Sequence, residues 1–529
     1  MSKGQDSLTR LAIAVREHVW WGPVLLLATV LRFYRLDSAT LWADEAFSVV
    51  MSAHPAPTLL AVAVLDVHPP LYYFLLGQWI ELFGNGLFSV RSLSACAGVV
   101  TVGLGIWLVA LVANRRAAML AGVLLAMLPI AVRYSQEVRM YALLAVWMTG
   151  ATIALVYWVR QPRRFPCLGA YALLIAAGLY THYLAITGVI AHWLYVMTLP
   201  RSSNEWGVRP CLTRQWWAAN IVAALLFLPW LPEFSRQLSL SCNLSWIQPV
   251  TVQAIASVLW QYLTLEKGQG LPVGVFWGVL PVTLAVCAYC LFRDRQHQHF
   301  PRLLVIFLLA PLIVVFVVSL HVPMLMARYL TFSAVYLPLL LGVGIERVAR
   351  EHLGLAAVTA VAIMGIECVG LSHLHQLQDY TNSDDGPTQE RVNQIADVIN
   401  ANYIRGDQIV VLNLFYYPAF DYYNRSPIRP LFYAPFAPAG APKSCQAPRH
   451  FSAPYGAGLE DVQIARLDQV PAGTVRVWLV DHGDDANVGL EIPCHWQLRK
   501  TLTTGDNRLR LFDAVAGQAS STDKACSTP

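Results

Sequence analysis

The chain is 529 residues long, 56% of its residues are hydrophobic and only 13% are charged. Soluble globular proteins carry about 25% charged residues, so this composition excludes an ordinary soluble enzyme and predicts a protein embedded in a bilayer. The formal net charge is only +5 and the basic residues are spread over many loops, which argues against a nucleic-acid partner.

Apolar segments that reach or approach the length of a membrane helix recur along the first ~375 residues. The first has no small-residue cleavage site after it, which favours a retained span over a signal peptide. The stretch Leu71–Phe83 is too short to cross and follows Pro69-Pro70, so we expect a helix along the membrane surface. We predict about eleven spans, near residues 19–36, 88–113, 117–132, 140–159, 166–181, 183–199, 215–234, 271–292, 302–320, 328–346 and 354–373.

Loop charge predicts the orientation. With Leu71–Phe83 left out of the count, one side of the membrane receives the basic loops, and by the positive-inside rule that side is cytoplasmic. If Leu71–Phe83 were counted as a crossing, the later basic loops would change sides, and the excess of Lys and Arg on one side of the membrane would disappear. The predicted N-terminus is therefore cytoplasmic, and residues 1–373 form a membrane core whose first outer loop spans residues 37–87. The basic loop residues include Lys3, Arg10, Arg16, Arg115, Arg116, Arg163, Arg164, Arg347 and Arg350.

The first outer loop contains two adjacent acids, Asp44 and Glu45. A carboxylate at this position can act as a general base towards a hydroxyl group. The alternative is a structural role, with Asp44 at the start of a surface helix.

Two further outer positions carry ionisable residues. Glu137 and Arg139 lie in a turn between two spans, where charges are costly unless paired. They are either functional or form an internal pair, Glu137 with Arg139 or with Arg133. Arg328 opens a span at the outer face, and its guanidinium suits bidentate binding of a phosphate. Snorkelling towards lipid headgroups is the alternative for Arg328.

His68 and His182 also fall on the outer side. With Glu45 or Glu137 they are candidates for a divalent-metal site, although their spacing matches no metal-binding motif. A hydrogen-bonding structural role at a helix end is the alternative. A divalent metal therefore stays open, and no other cofactor is predicted.

The tail, residues 374–529, departs from the apolar pattern. Gln389–Tyr403 has a helical pattern, whereas Gln408–Leu414 and Val475–Val480 have strand patterns. We expect a small extracytoplasmic α/β domain. Cys445 and Cys494 are candidates for a disulfide in it, although the sequence does not establish the pairing.

Six short motifs occur in order, at Leu41–Ser48, His68–Tyr73, Phe88–Ser92, Tyr134–Ala142, Thr181–Tyr183 and Arg328–Leu330. Together they resemble the bacterial family 39 glycosyltransferases, relatives of the dolichyl-phosphate-mannose protein mannosyltransferases and the lipid A aminoarabinose transferases. The resemblance covers roughly residues 20–350.

This resemblance implies a C-type glycosyltransferase fold in the inner membrane, with surface helices and a catalytic Asp in the first outer loop. By matching position, Asp44 is the catalytic base with Glu45 beside it. Arg328 matches an arginine that serves the carrier phosphate, and Glu137 and Arg139 match the family's second outer motif. We expect Arg139 to bind the donor phosphate together with Arg328. The implied reaction is an inverting transfer of sugar from a polyprenyl-phosphate donor to an extracytoplasmic protein, lipid A or cell-envelope glycan. Further candidate site residues are His68, Glu137, His182 and Tyr329.

The main rival is a polyprenyl-linked lipid flippase or transporter without chemistry, because acids and arginines also mark transport pathways in membranes. Transporters usually show internal repeats and charges near the bilayer midplane. This sequence shows no repeat, and its outer motifs lie at one face. The sugar, the acceptor, the carrier length, the role of the tail and the oligomeric state stay open.

Overall fold

A computed structural model describes most of the chain and divides it into two compact units. The first comprises Met1–Leu36, Arg91–Pro232 and Leu244–Gly386, and the second comprises Asp37–Val90, Glu233–Asn243 and Pro387–Pro529. The described residues are 20–64, 66–200, 209–238, 247–268, 270–294, 298–376, 391–413, 416–433, 462–482 and 490–514. The basic residues before residue 20 and the predicted disulfide partner Cys445 lie outside these ranges.

The membrane helices agree with the predicted spans. Seven helices of the described part are long and apolar enough to cross a membrane: Leu87–Val112, Tyr141–Arg160, Arg214–Leu238, Val273–Phe292, Phe300–Ser319, Ala327–Glu351 and Leu353–His375. Four shorter helices occupy the other predicted positions: Gly22–Phe33, Arg115–Met127, Phe165–Thr181 and Ala185–Thr198. The prediction of an α-helical multi-pass membrane protein is confirmed.

Shorter helices connect these spans or lie in the second unit. The predicted surface segment forms a 13-residue helix with the expected bounds, Leu71–Phe83. A turn of 3-10 helix, Ala327–Leu330, begins the span that carries Arg328. The other short α-helices are Ala43–Ser52, Ala56–Ala63, Pro129–Arg133, Ala254–Thr264, Val392–Asn402 and Tyr417–Tyr423.

Small residues allow helices of the first unit to approach closely. Gly342, in the span Ala327–Glu351, lies against Ala121 of the helix Arg115–Met127. A Cβ added to this glycine would be 2.6 Å from the backbone nitrogen of Ala121. Because lipid tails are as apolar as leucine, helices in a bilayer associate mainly through such close packing. Gly342 is therefore a point at which these two helices cannot accept a larger side chain.

The C-terminal part of the second unit contains a six-stranded sheet with the order β3-β2-β1-β4-β6-β5 among the described residues. Strands β1 to β4 pair in parallel, and β6 runs antiparallel to β4 and β5. This sheet, with its two helices, confirms the predicted α/β character of the tail. The strands are β1 Asp407–Val411, β2 Leu431–Tyr433, β3 Gln463–Ile464, β4 Arg476–His482, β5 Trp496–Thr504 and β6 Asn507–Ala514.

A buried ion pair joins the first residues of β1 and β4. Arg476 donates to both carboxylate oxygens of Asp407, at 2.8 and 2.7 Å, and the indole of Trp478 donates at 2.8 Å. Burial alone would raise the pKa of Asp407, but the hydrogen bonds from Arg476, Trp478 and the amide of Ile404 lower it below its ordinary value. The carboxylate is therefore held in its charged form.

Cys494, which precedes β5, is disulfide-bonded. Its partner lies outside the described residues, as does Cys445, so the predicted Cys445–Cys494 pairing stays a prediction.

We expect Gly342→Ala to destabilise the first unit by about 1–3 kcal/mol, because the added methyl group meets backbone atoms that cannot turn away. The measurement is the thermal unfolding temperature of the detergent-solubilised protein. Gly278→Ala is the matched control, since a Cβ at that helical glycine meets no atom within 4 Å. Equal unfolding temperatures for the two variants would contradict the close contact.

We expect the ion pair of Asp407 to make the sheet sensitive to acid. A lowered pKa in the folded state contributes stability above the unfolded value of about 3.8, and this contribution is lost as the pH falls below that value. Asp407→Asn should lose roughly 3 kcal/mol already at pH 7 and should show little further loss down to pH 3. The measurement is urea unfolding of β1 and β4 in the full chain, read by pulsed hydrogen exchange. If the free energies of unfolding of the wild type and of Asp407→Asn differed by the same amount at pH 7 and at pH 3, the stabilising role of the ionised Asp407 would be contradicted.

Candidate functional site

The helix Ala43–Ser52, called here the acidic helix, carries Asp44 and Glu45 in its first turn. Glu45 is 0% exposed, and its carboxylate accepts a hydrogen bond from the amide of Trp42 at 3.4 Å. Asp44 is only partly buried. Acids in the first turn are favoured by the helix dipole. The two neighbouring acids therefore differ, because Glu45 is fully buried and closes the start of the helix whereas Asp44 is a partly exposed residue.

The acidic helix crosses the helix Leu71–Phe83 at short range. A Cβ added to Gly77 would be 2.6 Å from the carbonyl oxygen of Ser52, so a larger residue would force the two backbones apart. Beside this crossing, the rings of Phe47 and Tyr73 meet edge to face, with centroids 6.3 Å apart. The C-terminal end of the acidic helix is thereby fixed in position.

His68 lies in a polar contact of the same unit. Its Nδ1 is 3.2 Å from the carboxylate of Asp66, which also accepts a hydrogen bond from the hydroxyl of Tyr73 at 2.9 Å. Both Asp66 and Tyr73 are buried. This arrangement agrees with the hydrogen-bonding alternative for His68.

In the first unit, Tyr141, His182 and Tyr329 form an aromatic cluster. Their ring centroids are 6.0 Å apart for Tyr141 and His182, 6.1 Å for Tyr141 and Tyr329, and 5.5 Å for His182 and Tyr329. The three residues come from three different sequence motifs. The fold of the first unit thus brings together positions that are separated by almost 190 residues in the sequence.

Two predicted phosphate ligands border this aromatic cluster. The guanidinium of Arg139 is 6.0 Å from the ring centroid of Tyr141, and that of Arg328 is 5.4 Å from the ring centroid of Tyr329. The two arginines are 4% and 3% exposed. These distances allow cation–π contacts, which orient a planar guanidinium. A pair of buried guanidiniums at one aromatic cluster provides the charge and the donor geometry to bind an anionic group.

Glu137 forms an ion pair with Arg133 at 3.0 Å, and their side chains are 1% and 15% exposed. The sequence left open whether Glu137 pairs with Arg139 or with Arg133, and the structure contains the pair with Arg133. Ser94 lies in the helix Leu87–Val112, and its hydroxyl donates to the carbonyl of Arg139 at 3.2 Å, which holds the backbone that carries this arginine.

Two motif residues to which the sequence assigned no role hold the end of the first membrane helix. The side-chain amide of Gln136 donates to the carbonyls of Leu31, Arg32 and Tyr34 at 3.0–3.2 Å. Arg91 donates to the carbonyl of Leu36 at 3.0 Å. The last carbonyls of a helix have no partner within that helix, so they need hydrogen-bond donors from elsewhere. A polar residue in a nearby motif, such as Gln136 or Arg91, is the sequence signal for such a donor.

Sequence reasoning also missed Asp66 and the central position of Tyr141. Asp66 is an isolated acid two residues before the motif His68–Tyr73, and only the folded structure shows that it is buried. The aromatic residue Tyr141 was seen only as part of a motif, because ring contacts between distant segments leave no local pattern. Within the described residues, no group of three His, Cys, Asp or Glu side chains is arranged to hold a metal ion.

Known proteins share this architecture. Residues 67–232 match the family model described as dolichyl-phosphate-mannose-protein mannosyltransferase. The apo structure of ArnT from Cupriavidus metallidurans is 15% identical, with a TM-score of 0.59 over 94% of this chain and 98% of that chain. The same protein bound to undecaprenyl phosphate is 16% identical, with a TM-score of 0.57 over 95% and 99%. No curated protein sequence matches the chain significantly.

These matches confirm the resemblance that the sequence motifs predicted. The ArnT structures extend the similarity over the tail as well as the membrane helices, and they establish the fold.

The ion pair of Glu137 generates a stability prediction. Glu137→Gln should destabilise the protein by about 2–3 kcal/mol, because it removes the charge of a buried carboxylate and leaves Arg133, whose side chain is only 15% exposed, without this counter-charge. Glu351→Gln is the matched control, since its pair with Arg293 is about half exposed and contributes little. The measurement is the thermal unfolding temperature of both variants in the same detergent. An equal shift for the two variants would show that the pair of Glu137 is not buried as described.

Proposed function

Because the chain is a multi-pass membrane protein with the C-type glycosyltransferase fold, we propose that it transfers a sugar from a polyprenyl-phosphate donor to an extracytoplasmic acceptor. The family model names dolichyl-phosphate-mannose as the donor of its members, and one similar ArnT structure holds undecaprenyl phosphate. Both names point to the same class of donor, a sugar linked through phosphate to a long isoprenoid.

The observation that carries this proposal is the pair of buried guanidiniums beside one aromatic cluster. When the sugar leaves its carrier, negative charge develops on the carrier phosphate. Fixed cations that face this charge in a site shielded from water lower the barrier more than mobile cations in solution. Arg328 and Arg139 are assigned this role, and the faces of Tyr141, His182 and Tyr329 provide apolar surface beside it.

Asp44 is assigned the role of general base. Its carboxylate removes the proton from the acceptor hydroxyl as the acceptor oxygen attacks the anomeric carbon of the sugar. The bond between this carbon and the phosphate oxygen breaks on the opposite face, and polyprenyl phosphate leaves with the electron pair. The product sugar therefore has the inverted anomeric configuration. Asp44, a partly exposed residue, suits this task better than Glu45, which is fully buried.

The remaining candidates are assigned supporting roles. Glu45 closes the first turn of the acidic helix, His68 pairs with Asp66, and Glu137 neutralises Arg133. None of these contacts requires a metal ion.

The reaction is proposed to take place at the outer face of the inner membrane, with the N-terminus in the cytoplasm and the C-terminal domain in the periplasm. Loop charge supports this orientation. The disulfide of Cys494 supports it too, since disulfides persist in oxidising compartments. The proposed domains are the membrane core of residues 1–373 and the extracytoplasmic domain of residues 374–529.

The proposal is tested with purified protein in lipid and a radiolabelled panel of polyprenyl-phosphate sugars, with membrane extract as acceptor. Release of free polyprenyl phosphate is measured for the wild type and for Asp44→Asn. We expect Asp44→Asn to lower the turnover ~10²–10⁴-fold, because the acceptor hydroxyl loses its base, while donor binding is kept.

The matched control is Asp468→Asn, which makes the same chemical change at an exposed position of the C-terminal domain. Equal turnover for Asp44→Asn and the control would remove Asp44 from the mechanism. If the wild type turned over no donor but moved the carrier lipid across the bilayer, the flippase function would replace the transferase.

A further inference from the structure

We propose that the C-terminal domain positions the catalytic base, because Tyr423 and Asn393 accept hydrogen bonds from the residues that lead into the acidic helix. This inference rests on the proposed function, in which Asp44 is the base. It gives the C-terminal domain a role in the reaction and identifies Tyr423 as a positioning residue.

Two side chains of the C-terminal domain contact the segment before the acidic helix. The amide of Leu41 donates to the hydroxyl oxygen of Tyr423 at 2.8 Å, and the hydroxyl of Thr40 donates to the side-chain oxygen of Asn393 at 3.0 Å. Leu41 is 0% exposed, so its amide has no access to water as an alternative acceptor. Two consecutive residues are thereby bound to the C-terminal domain.

These contacts come from two helices that are themselves tied to one another and to the sheet. Asn393 lies in the first turn of the helix Val392–Asn402, and the amide of Arg391 just before it donates to the buried side chain of Asn507 at the start of β6, at 2.8 Å. Asn400 of the same helix donates to the carbonyl of Tyr423 at 3.1 Å. The sheet thus determines where both Asn393 and Tyr423 lie.

Tyr422 adds a third contact from the same short helix. Its hydroxyl donates to the carbonyl of Asn85 at 2.7 Å, two residues after the helix Leu71–Phe83 ends. The helix Tyr417–Tyr423 therefore binds the beginning of the acidic helix and the end of the helix that the acidic helix crosses. The helix Tyr417–Tyr423 therefore holds these two helices in a fixed position relative to one another.

The contacts are close enough to the base to affect it. Only two residues separate Leu41 from Asp44, and the next amide after Leu41, that of Trp42, donates to the carboxylate of Glu45. The crossing at Gly77 fixes the other end of the acidic helix. The end that carries Asp44 is therefore the end that the C-terminal domain holds. Because displacing a reacting group by ~1 Å can cost about 10²-fold in rate, a loss of these contacts should be visible in turnover.

The test compares Tyr423→Phe with the wild type in the polyprenyl-phosphate assay described above. The substitution removes one hydroxyl and keeps the packing of the ring. We expect kcat to fall about tenfold with KM for the donor unchanged within about twofold, because the change acts on the position of the base and leaves the arginines intact. Tyr403→Phe, at the end of the helix Val392–Asn402, is the matched control and should keep wild-type kcat.

A second measurement does not depend on turnover. Hydrogen exchange of the peptide that spans Leu41–Glu45 should be faster in Tyr423→Phe, because the amide of Leu41 loses its acceptor. Thr40→Val should have the same two effects, whereas Thr40→Ser, which keeps the hydroxyl, should restore both kcat and exchange. If Thr40 and Tyr423 served only the stability of the fold, their variants would not lower kcat while leaving KM for the donor unchanged, and Thr40→Ser would not restore kcat.

The outcomes separate this inference from the proposed function. Faster exchange with unchanged kcat would show that the contact exists but does not position the base, and it would overturn the inference. Unchanged exchange together with unchanged kcat would also overturn it, in an enzyme whose wild type still transfers sugar. An inactive wild type would instead refute the proposed function, and the inference with it.

Discussion

Burying a guanidinium away from water costs free energy unless its charge and donors are matched, and this constraint shapes the first unit. Arg139 and Arg328 are almost fully buried beside a cluster of aromatic rings that arises from three distant segments. The rings hold the guanidiniums in orientation, and the neighbouring turn is fixed by the pair of Arg133 with Glu137. In the proposed reaction these two guanidiniums contact the carrier phosphate, on which negative charge develops as the sugar leaves.

The acidic helix shows how one fold separates the roles of adjacent carboxylates. Glu45 points into the protein and closes the first turn, whereas Asp44 stays partly exposed. The proposed general base Asp44 must reach a hydroxyl of an incoming acceptor, so it cannot be fully buried. It must also keep its position, so the helix that carries it needs support. The second unit satisfies both requirements by fixing the helix at its two ends, at the crossing with Gly77 and at the segment Thr40–Leu41.

Much of this architecture could be predicted from the sequence. Eleven apolar segments, the surface helix Leu71–Phe83 and the α/β character of the tail follow from hydropathy and periodicity, because bilayer thickness and backbone hydrogen bonding leave few choices. The candidate residues Arg139, His182, Arg328 and Tyr329 were found through motifs, yet their meeting at Tyr141 was not, since ring contacts between distant segments leave no local pattern. The sequence did not determine the polar partners of His68 and Glu137 either, because such pairs are defined only in the folded chain. Asp66 and Tyr423 were missed because each contributes a single side chain to a contact that only the folded chain defines.

The contacts of the acidic helix with the C-terminal domain have a consequence for the synthesis of the protein. Thr40 and Leu41 emerge from the ribosome early, but their partners Asn393 and Tyr423 follow 353 and 382 residues later. At a typical translation rate of about 5–20 residues per second, Asn393 and Tyr423 are synthesised roughly 20–75 seconds after the acidic helix that they contact. During this time the later membrane spans are synthesised while the acidic helix lacks its contacts with Asn393 and Tyr423. A chain that stalls before residue 393 would therefore contain the membrane spans without the hydrogen bonds that hold the start of this helix.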